Sequence, residues 1–411
     1  MASDYVLFII AMAFISPTIV LPSFVAALSD SEVIVGLAAG LTSGAWLLPQ
    51  LLVASKVAHM RLKKKVMLRA IWPGRLLLPL VALAIWLLGR HLPTLTLVTA
   101  LVGLFVFWAL DGVASVPWFD VLAKVIPLRR RGRILGVSQL VGGLGAIGAG
   151  VAVRFILGER SAWAFPDNYA LLFALASIPF FLGAVCLSAI HEPESRLPDK
   201  EAPSGRRLLA LVPGMLTRDR NFLRLITVRL LNGCISVAGA FYILYATRTL
   251  GLGADAAGLF VSAQVVGSVT AGLLMSAIQD RWGPVVHMRA VAVLSAIPPV
   301  VALCVGELAS VLGQGVLYPY LLVYFFLGIW MGSMGWPYVN WILESTDEER
   351  RPLYIGMLNT SGAVVMLAPI LGGWIVRLVS YSAVFALALL FALGSFVVSL
   401  PLPNPRRKPG V

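Results

Sequence analysis

Long apolar segments alternate with short polar turns along the whole chain. Many of these segments hold about 18 or more mostly apolar residues, the length that crosses a hydrocarbon core of roughly 30 Å. The pattern predicts twelve membrane-spanning helices, six in each half. Their predicted limits are 5–27, 33–57, 67–89, 95–126, 134–157, 168–190, 222–246, 254–279, 286–306, 314–343, 354–378 and 380–401. The opening MASDYVLF has no Lys or Arg before its apolar run, so we interpret it as the first span and not as a cleaved signal.

The composition agrees with this pattern. Of 411 residues, 59% are hydrophobic and only 12% are charged, whereas soluble domains carry about 25% charged residues. We therefore predict an all-α polytopic membrane protein with two pseudo-symmetric six-helix bundles, at 1–192 and 222–402, and a basic tail at 403–411. The connection 193–221 is predicted to be a cytoplasmic linker. Within it, RRLLALVPGML is either a short helix on the inner leaflet or part of the linker.

The distribution of charge orients the predicted spans. Arg and Lys concentrate in alternate connections and in the tail, at 60–65, 129–133, 191–221, 281–289 and 406–408. The opposite connections are short and poor in cations. The positive-inside rule therefore predicts that both termini lie in the cytoplasm. We expect the protein in the cell (plasma or inner) membrane. The net charge of +13 is spread over these connections, which does not suggest a nucleic-acid partner. We expect a monomer whose partners are the bilayer and a small-molecule substrate.

The two halves of the chain echo each other. Segment 112–142 aligns with 332–362 at a constant shift of 220 residues without a gap. The matched pairs include Gly112 with Gly332, Pro117 with Pro337, Trp118 with Tyr338, Asp120 with Asn340, Arg131 with Arg351 and Gln139 with Asn359. A shift near 222 aligns the starts of the second and eighth spans. A six-helix unit repeated in the same orientation is typical of transporters whose site lies between the halves at mid-depth.

With these motifs the chain resembles the major facilitator superfamily over essentially its whole length. DRWG (280–283) is similar to the D-R-x-G loop motif of that family, and RRRGRILG (129–136) and LYIGMLNT (353–360) resemble its turns before the fifth and eleventh helices. The resemblance implies a secondary transporter with a cytoplasmic gate, for which the candidates are Asp120, Arg131, Asp280, Arg281 and Arg351. The first-half copy of the loop motif, 56–66, contains no acid. We expect its basic run to bind Asp120 instead.

Other motifs do not favour an enzyme or a bound cofactor. GLGAIG spells G-x-G-x-x-G at Gly143, Gly145 and Gly148, but it lies inside an apolar helix and lacks the strand that dinucleotide binding requires. Gly142, Ala146 and Gly150 instead form a stripe that favours close helix packing. The three cysteines have no metal-ligand spacing. No catalytic constellation or phosphate-binding loop is visible, so transport would draw on a solute or ion gradient.

One acid lies deep in the fourth span, within LFVFWALDGVASVPWFD (104–120). Asp111 shares a helical face with Trp108, Ser115 and Trp118, and in the resembled family this span lines the central cavity. Ionisable residues at such depth are candidates for function. Asp111 therefore either carries a proton, accepts a hydrogen bond from substrate in a uniporter, or is a buried structural residue.

The second half offers polar and aromatic groups for the same cavity. Arg229, Asn232 and Ser236 follow one helical face of the seventh span, although Arg229 could instead snorkel to the headgroups. The remaining cavity candidates are Gln50, Gln139, Trp330, Trp336, Tyr338, Asn340 and Asn359. The leading hypothesis is a proton-coupled secondary transporter that moves a small organic solute by alternating access. A flippase or exporter of lipid-like or hydrophobic compounds is the alternative, and a non-transporting scaffold or sensor is less favoured.

Overall fold

The computed structural model describes residues 1–57, 60–194, 219–347 and 350–406. The regular elements of these residues are α-helices and short 3₁₀ helices. The helix considered for 206–216 and most of the predicted linker lie outside the described residues, as do positions 407–411 of the tail.

The first half forms seven helices. They are α1 (Ala2–Phe14), α2 (Val20–Leu28), α3 (Glu32–Val57), α4 (Lys64–Leu88), α5 (Pro93–Val125), α6 (Leu128–Leu157) and α7 (Asp167–Ser188). The first predicted span is broken between α1 and α2 around Pro17, because proline cannot donate a backbone hydrogen bond within a helix. α6 begins six residues before its predicted start, since Pro127 precedes the helix as its N-cap residue and the helix starts at Leu128.

The described residues of the second half form ten α-helices and three 3₁₀ segments. The α-helices are α8 (Arg220–Cys234), α9 (Phe241–Arg248), α10 (Ala256–Trp282), α11 (Pro284–Ser295), α12 (Ile297–Leu312), α13 (Leu317–Ser333), α14 (Trp336–Ser345), α15 (Arg351–Gly362), α16 (Ala368–Leu378) and α17 (Tyr381–Ser399). Eleven helical segments of the described chain are long and apolar enough to cross a membrane. Together with the broken first span, they correspond to the twelve predicted spans.

The chain divides into two compact units. Unit 1 comprises Met1–Gly205 and Gly253–Ser262, and unit 2 comprises Arg206–Leu252 and Ala263–Val411. Within unit 1, the first turns of α10 pack against α6 through glycine. A Cβ atom on Gly258 would lie only 2.3 Å from the carbonyl oxygen of Gly150, and one on Gly142 would lie 2.9 Å from the Ile9 side chain. The small-residue stripe of α6 therefore serves close helix packing.

The sequence repeat reappears as matching contacts inside each unit. A Cβ atom on Gly112 would lie 2.2 Å from the carbonyl oxygen of Trp46, and one on Gly332 would lie 3.0 Å from that of Ser268. Ser268 follows Trp46 by the same shift of 222 that aligns the second and eighth spans. The fourth helix of each repeat thus approaches the backbone of the second helix at an equivalent point.

A second matching contact lies at the basic turns of the repeat. Arg131 donates to the carbonyl oxygen of Ile126 at 3.3 Å, and Arg351 donates to that of Thr346 at 3.0 Å. Each arginine thus reaches five residues back along the chain to the end of the preceding span. Because the last carbonyl groups of a helix have no partner inside it, these arginines stabilise both turns.

The C-terminal segment 400–406 is held against unit 2 at several points. Leu402 is buried in a core cluster, and the indole of Trp341 donates to the carbonyl oxygen of Pro403 at 2.9 Å. Arg406 forms a two-point ion pair with Glu344, with closest atoms 2.6 Å apart. It also donates to the carbonyl oxygens of Gln279 and Asp280, each at 2.8 Å. The tail thereby joins the α10–α11 turn to the end of α14.

Candidate functional site

The deep acid of the fourth span forms an ion pair inside unit 1. Arg75 of α4 donates to Asp111 of α5 at 2.8 Å, and their side chains are 5% and 12% exposed. The guanidinium carbon of Arg75 lies 4.3 Å from the ring centre of Phe180 and 5.2 Å from that of Phe107. Asp111 is therefore not the isolated charge that its apolar sequence surroundings indicate.

A second buried acid belongs to the same cluster. Asp4 of α1 is 7% exposed, and its carboxylate accepts a hydrogen bond of 2.8 Å from the indole of Trp118. It lies within electrostatic reach of both Arg75 and Asp111. We call Asp4, Arg75 and Asp111 the acid–arginine cluster. With both acids ionised it carries a net charge of −1, so a single proton makes it neutral.

Other predicted cavity residues of unit 1 have partners close by. Gln139 accepts a hydrogen bond of 2.6 Å from the hydroxyl of Tyr5, which is the neighbour of Asp4 on α1. Ser115 donates to the carbonyl oxygen of Gly112 in its own helix at 2.8 Å. Trp108 is buried. The side-chain nitrogen of Gln50 is buried without a partner among the described residues.

Charged side chains pair with one another at the end of unit 1 where its basic connections lie. Lys63 pairs with Asp120, so the acid-free loop supplies a cation to the predicted gate residue. Glu192 accepts from the backbone N–H groups of Lys63 and Lys64, at 2.9 and 2.7 Å, and from the Lys124 ammonium. Burial acts to raise the pKa of Glu192, but these hydrogen bonds outweigh it and hold the pKa below its ordinary value.

The polar groups of unit 2 lie where three spans lose regular α-helical structure. The seventh span is interrupted by a 3₁₀ segment at Ile235–Ala238, and the eleventh by another at Ala363–Leu367. In the tenth span, α13 and α14 are separated at Gly335, whose φ of 102° favours glycine. Interrupted helices leave backbone groups outside the regular hydrogen-bond ladder, and in transporters they form substrate sites.

Asn232 and Trp330 meet at the first of these interruptions. The indole of Trp330 donates to the side-chain oxygen of Asn232 at 3.1 Å, and Asn232 is only 1% exposed. The amide nitrogen of Asn232 is buried and has no acceptor among the described residues. The same is true of the hydroxyl groups of Ser236 and Ser333. We call Asn232, Ser236, Ser333 and the neighbouring Arg229 the donor cluster.

Arg229 lies one turn before Asn232 on α8. Its guanidinium carbon is 5.5 Å from the ring centre of Tyr338, which is 2% exposed. Its Nε atom is buried and finds no acceptor among the described residues. A Cβ atom on Gly362 would lie 3.4 Å from this guanidinium, so the absence of a side chain there leaves room for Arg229.

The remaining predicted residues lie elsewhere. The side chain of Trp336 is 62% exposed, Asn340 is half-buried and Asn359 is exposed. Arg281 packs over Trp282 with its guanidinium carbon 5.1 Å from the ring centre. Asp280 is exposed, and its backbone receives the tail arginine described above. In the described part of the chain no group of three or more His, Cys, Asp or Glu could hold a metal ion.

Sequence reasoning missed Arg75, Asp4 and Glu192. The signal for Arg75 was present, because IWPGRLLLPL places a cation deep in a span that neighbours the span of Asp111, and membrane-buried charges are usually paired. Asp4 is in the fourth position of the chain, where an acid looks like part of a solvated terminus. Only the packing of α1 buries it.

Comparisons with known proteins agree with this architecture. Residues 233–410 match the sequence model of the Major Facilitator Superfamily. The fold is similar to that of a D-xylose–proton symporter, with a TM-score of 0.65, 18% identity, and coverage of 98% of this chain and 97% of that one. It is also similar to a bacterial homologue of the human lysosomal transporter Spinster in an inward-facing, unoccupied conformation. That match has a TM-score of 0.66, 13% identity, and coverage of 100% and 98%.

A third similar structure is an autoinhibited peptide transporter of the POT family, with a TM-score of 0.64, 13% identity, and coverage of 98% and 94%. No curated protein sequence matches the chain. The described helices thus form a multi-pass membrane protein. Residues 233–410 resemble the Major Facilitator Superfamily, and the whole chain shares its fold with solved membrane transporters.

Proposed function

We propose that this transporter moves a small organic solute by alternating access and couples the movement to protons. The observation that carries the proton coupling is the acid–arginine cluster. Two buried carboxylates face one guanidinium, and this cluster is enclosed by aromatic rings. Because an unpaired charge is costly away from water, the cluster is most stable in the membrane interior when it holds one proton.

Arg75 decides which acid is free to take that proton. It is bonded to Asp111, whereas the hydrogen bond to Asp4 comes from a neutral indole. In this proposal the guanidinium of Arg75, which also acts electrostatically on Asp4, exchanges between the two acids when α1 or α4 moves. Asp111 then remains a proton carrier, as its depth in the sequence predicts, but it acts together with Asp4.

Two further features support a gradient-driven carrier. The seventh, tenth and eleventh spans are interrupted next to polar groups, as in transporters whose substrate sites lie at discontinuous helices. One protein of similar fold is a D-xylose–proton symporter, which is in keeping with proton coupling on this architecture. The basic connections support a cell or inner membrane location with both termini in the cytoplasm.

The proposal is tested with purified protein in liposomes. The vesicles are offered a mixture of sugars, amino acids, organic acids and lysolipids, and their contents are identified by mass spectrometry with and without an inward proton gradient. We expect at least one water-soluble compound to accumulate only with the gradient and to be lost when a protonophore is added. Selective uptake of lysolipids would favour the flippase alternative.

The role of the cluster is tested in the same vesicles by Asp111→Asn and Asp4→Asn. We expect either change to abolish accumulation, while exchange of labelled for unlabelled solute, which needs no net proton movement, continues. Asp30→Asn is the matched control, because Asp30 is exposed in a connection. Unchanged gradient-driven accumulation in both cluster variants would refute the coupling proposal.

A further inference from the structure

The side-chain amide of Asn232 has an unsatisfied donor group, whereas its oxygen already accepts a hydrogen bond. An indole N–H can donate but cannot accept a hydrogen bond. The contact from Trp330 at 3.1 Å therefore fixes the Asn232 oxygen as the acceptor and turns the NH₂ group the other way. That NH₂ group is buried without a partner among the described residues. An unsatisfied buried amide is destabilising, and a bound acceptor would remove that cost.

Arg229 adds a positive charge that has no counter-ion among the described residues. No described carboxylate lies within 4 Å of its guanidinium, whose carbon is 5.5 Å from the ring centre of Tyr338. Packing over an aromatic ring stabilises the cation modestly, but it leaves the charge and the Nε donor without a counter-ion. A cation held in this way is the complement of an anionic group.

The unpaired donors belong to one stretch of the seventh span and its neighbour in the tenth. Arg229, Asn232 and Ser236 recur on one face of that span, and the hydrogen bond to Trp330 joins it to α13, which also carries the buried hydroxyl of Ser333. Serine hydroxyls can donate or accept, so they adapt to whatever binds. The side chains with a fixed role, Arg229 and Asn232, both donate.

From this donor excess we infer that the transported solute is a monocarboxylate with an apolar body. Its carboxylate would receive hydrogen bonds from Arg229 and Asn232, and the rings of Trp330 and Tyr338 would contact the body. A neutral polyol could accept hydrogen bonds from these two residues, but it would leave the charge of Arg229 unbalanced. A phosphate ester carries up to two negative charges, of which one guanidinium balances only one. This inference rests on the proposed transport function and names its substrate class.

The charges of the two clusters agree with such a substrate. The acid–arginine cluster has one negative charge in excess and takes a proton, and the donor cluster has one positive charge in excess and takes an anion. A transport cycle that carries both moves no net charge. We therefore expect transport of the monocarboxylate to respond to a pH gradient and to be insensitive to membrane voltage.

The test compares matched pairs of probes on the purified full-length protein. Benzoate and 3-phenylpropionate are each paired with the amide of the same shape, and the unfolding midpoint temperature is measured at increasing ligand concentration. We expect at least one acid to stabilise the protein and its amide to have no effect. Equal stabilisation by an acid and its amide, or none by either acid, would overturn the inference.

Variants then assign the binding to the cluster. Arg229→Gln removes the charge and should weaken binding of the stabilising acid about 10- to 100-fold, the range expected for a lost charged hydrogen bond. Arg220→Gln, at the exposed start of the same helix, is the control. Asn232→Asp keeps the acceptor for Trp330 but adds a negative charge that balances Arg229 and repels an anion, so it should also abolish binding. Undiminished binding in both cluster variants would overturn the assignment.

The liposome assay distinguishes the inference of an anionic substrate from the broader proposal of proton-coupled transport. A neutral solute that accumulates on a proton gradient, without competition from benzoate or 3-phenylpropionate, would refute the anion inference and leave the transporter proposal standing. Failure of every offered solute to accumulate would count against proton-driven transport even if an acid stabilises the purified protein.

Discussion

Glu192 is the buried acid that holds the basic end of unit 1 together, and its removal makes the sharpest stability test. The side chain is 2% exposed. It joins the first turn of α4, through the backbone N–H groups of Lys63 and Lys64, to the Lys124 side chain at the end of α5. An acid at this place also complements the positive N-terminal end of the α4 dipole.

The change Glu192→Gln keeps the shape and one acceptor oxygen but removes the charge. Each hydrogen bond to a charged group contributes about 1.5–3 kcal/mol, and a half-broken buried ion pair costs about 3–5 kcal/mol. Because Lys124 is 15% exposed, water recovers part of this loss. We therefore expect a loss of roughly 2–4 kcal/mol in the free energy of unfolding, which lowers the midpoint temperature by at least about 4 °C.

The assay is thermal unfolding in mild detergent at several pH values, with Glu194→Gln as the control at an exposed acid two residues away. The pKa of Glu192 is lowered in the folded protein from its ordinary value of 4.5. Its stabilisation is therefore fully present above pH 4.5 and is lost as pH falls through the lower folded pKa. The gap between wild type and Glu192→Gln should be constant near neutral pH and should shrink in acid. Equal midpoint temperatures for wild type and Glu192→Gln, or a difference between them that widens in acid, would refute this reasoning.

Two further predictions concern packing and the tail. Gly112→Ala should severely reduce the yield of folded protein, because the added Cβ would lie 2.2 Å from a backbone atom. The control Gly132→Ala should be tolerated, because its Cβ would have nothing within 4 Å. Size-exclusion chromatography measures the folded yield of both variants. Arg406→Ala should expose the tail to carboxypeptidase and speed amide exchange near Glu344, since that ion pair and two carbonyl contacts are lost. Arg377→Ala, at an exposed helix end, should leave both measurements unchanged.

Most of the fold could be predicted from the sequence, because membrane spans are long apolar runs and the bilayer leaves the backbone few alternatives to a helix. The internal repeat predicted even the equivalence of Arg131 and Arg351, which make the same backbone contact in both units. The interruptions of the spans were less predictable. Pro17 marks one of them, but Ile235–Ala238 contains neither proline nor glycine, although Gly233 and Gly239 flank it.

The candidate site could be predicted only in part. Helical periodicity placed Arg229, Asn232 and Ser236 on one face, and the structure adds Trp330 to Asn232. Periodicity describes a single helix, however, and partners on other helices depend on how the helices pack. That is why the sequence presented Asp111 as an isolated acid, although Arg75, 36 residues earlier, bonds to it.

Comparing Arg75 with Arg229 shows that the role proposed for a buried cation depends more on its partners than on its depth in the span. Both are cations within apolar spans, and each lies near an aromatic ring. Arg75 has a carboxylate at 2.8 Å and a second acid within reach, so its surroundings are complete without a ligand and can store only a proton. Arg229 has a tyrosine ring and no acid among the described residues, so its surroundings become complete only when an anion binds. We therefore propose different tasks for two residues of the same type, ion coupling for Arg75 and substrate recognition for Arg229, on the basis of their neighbours.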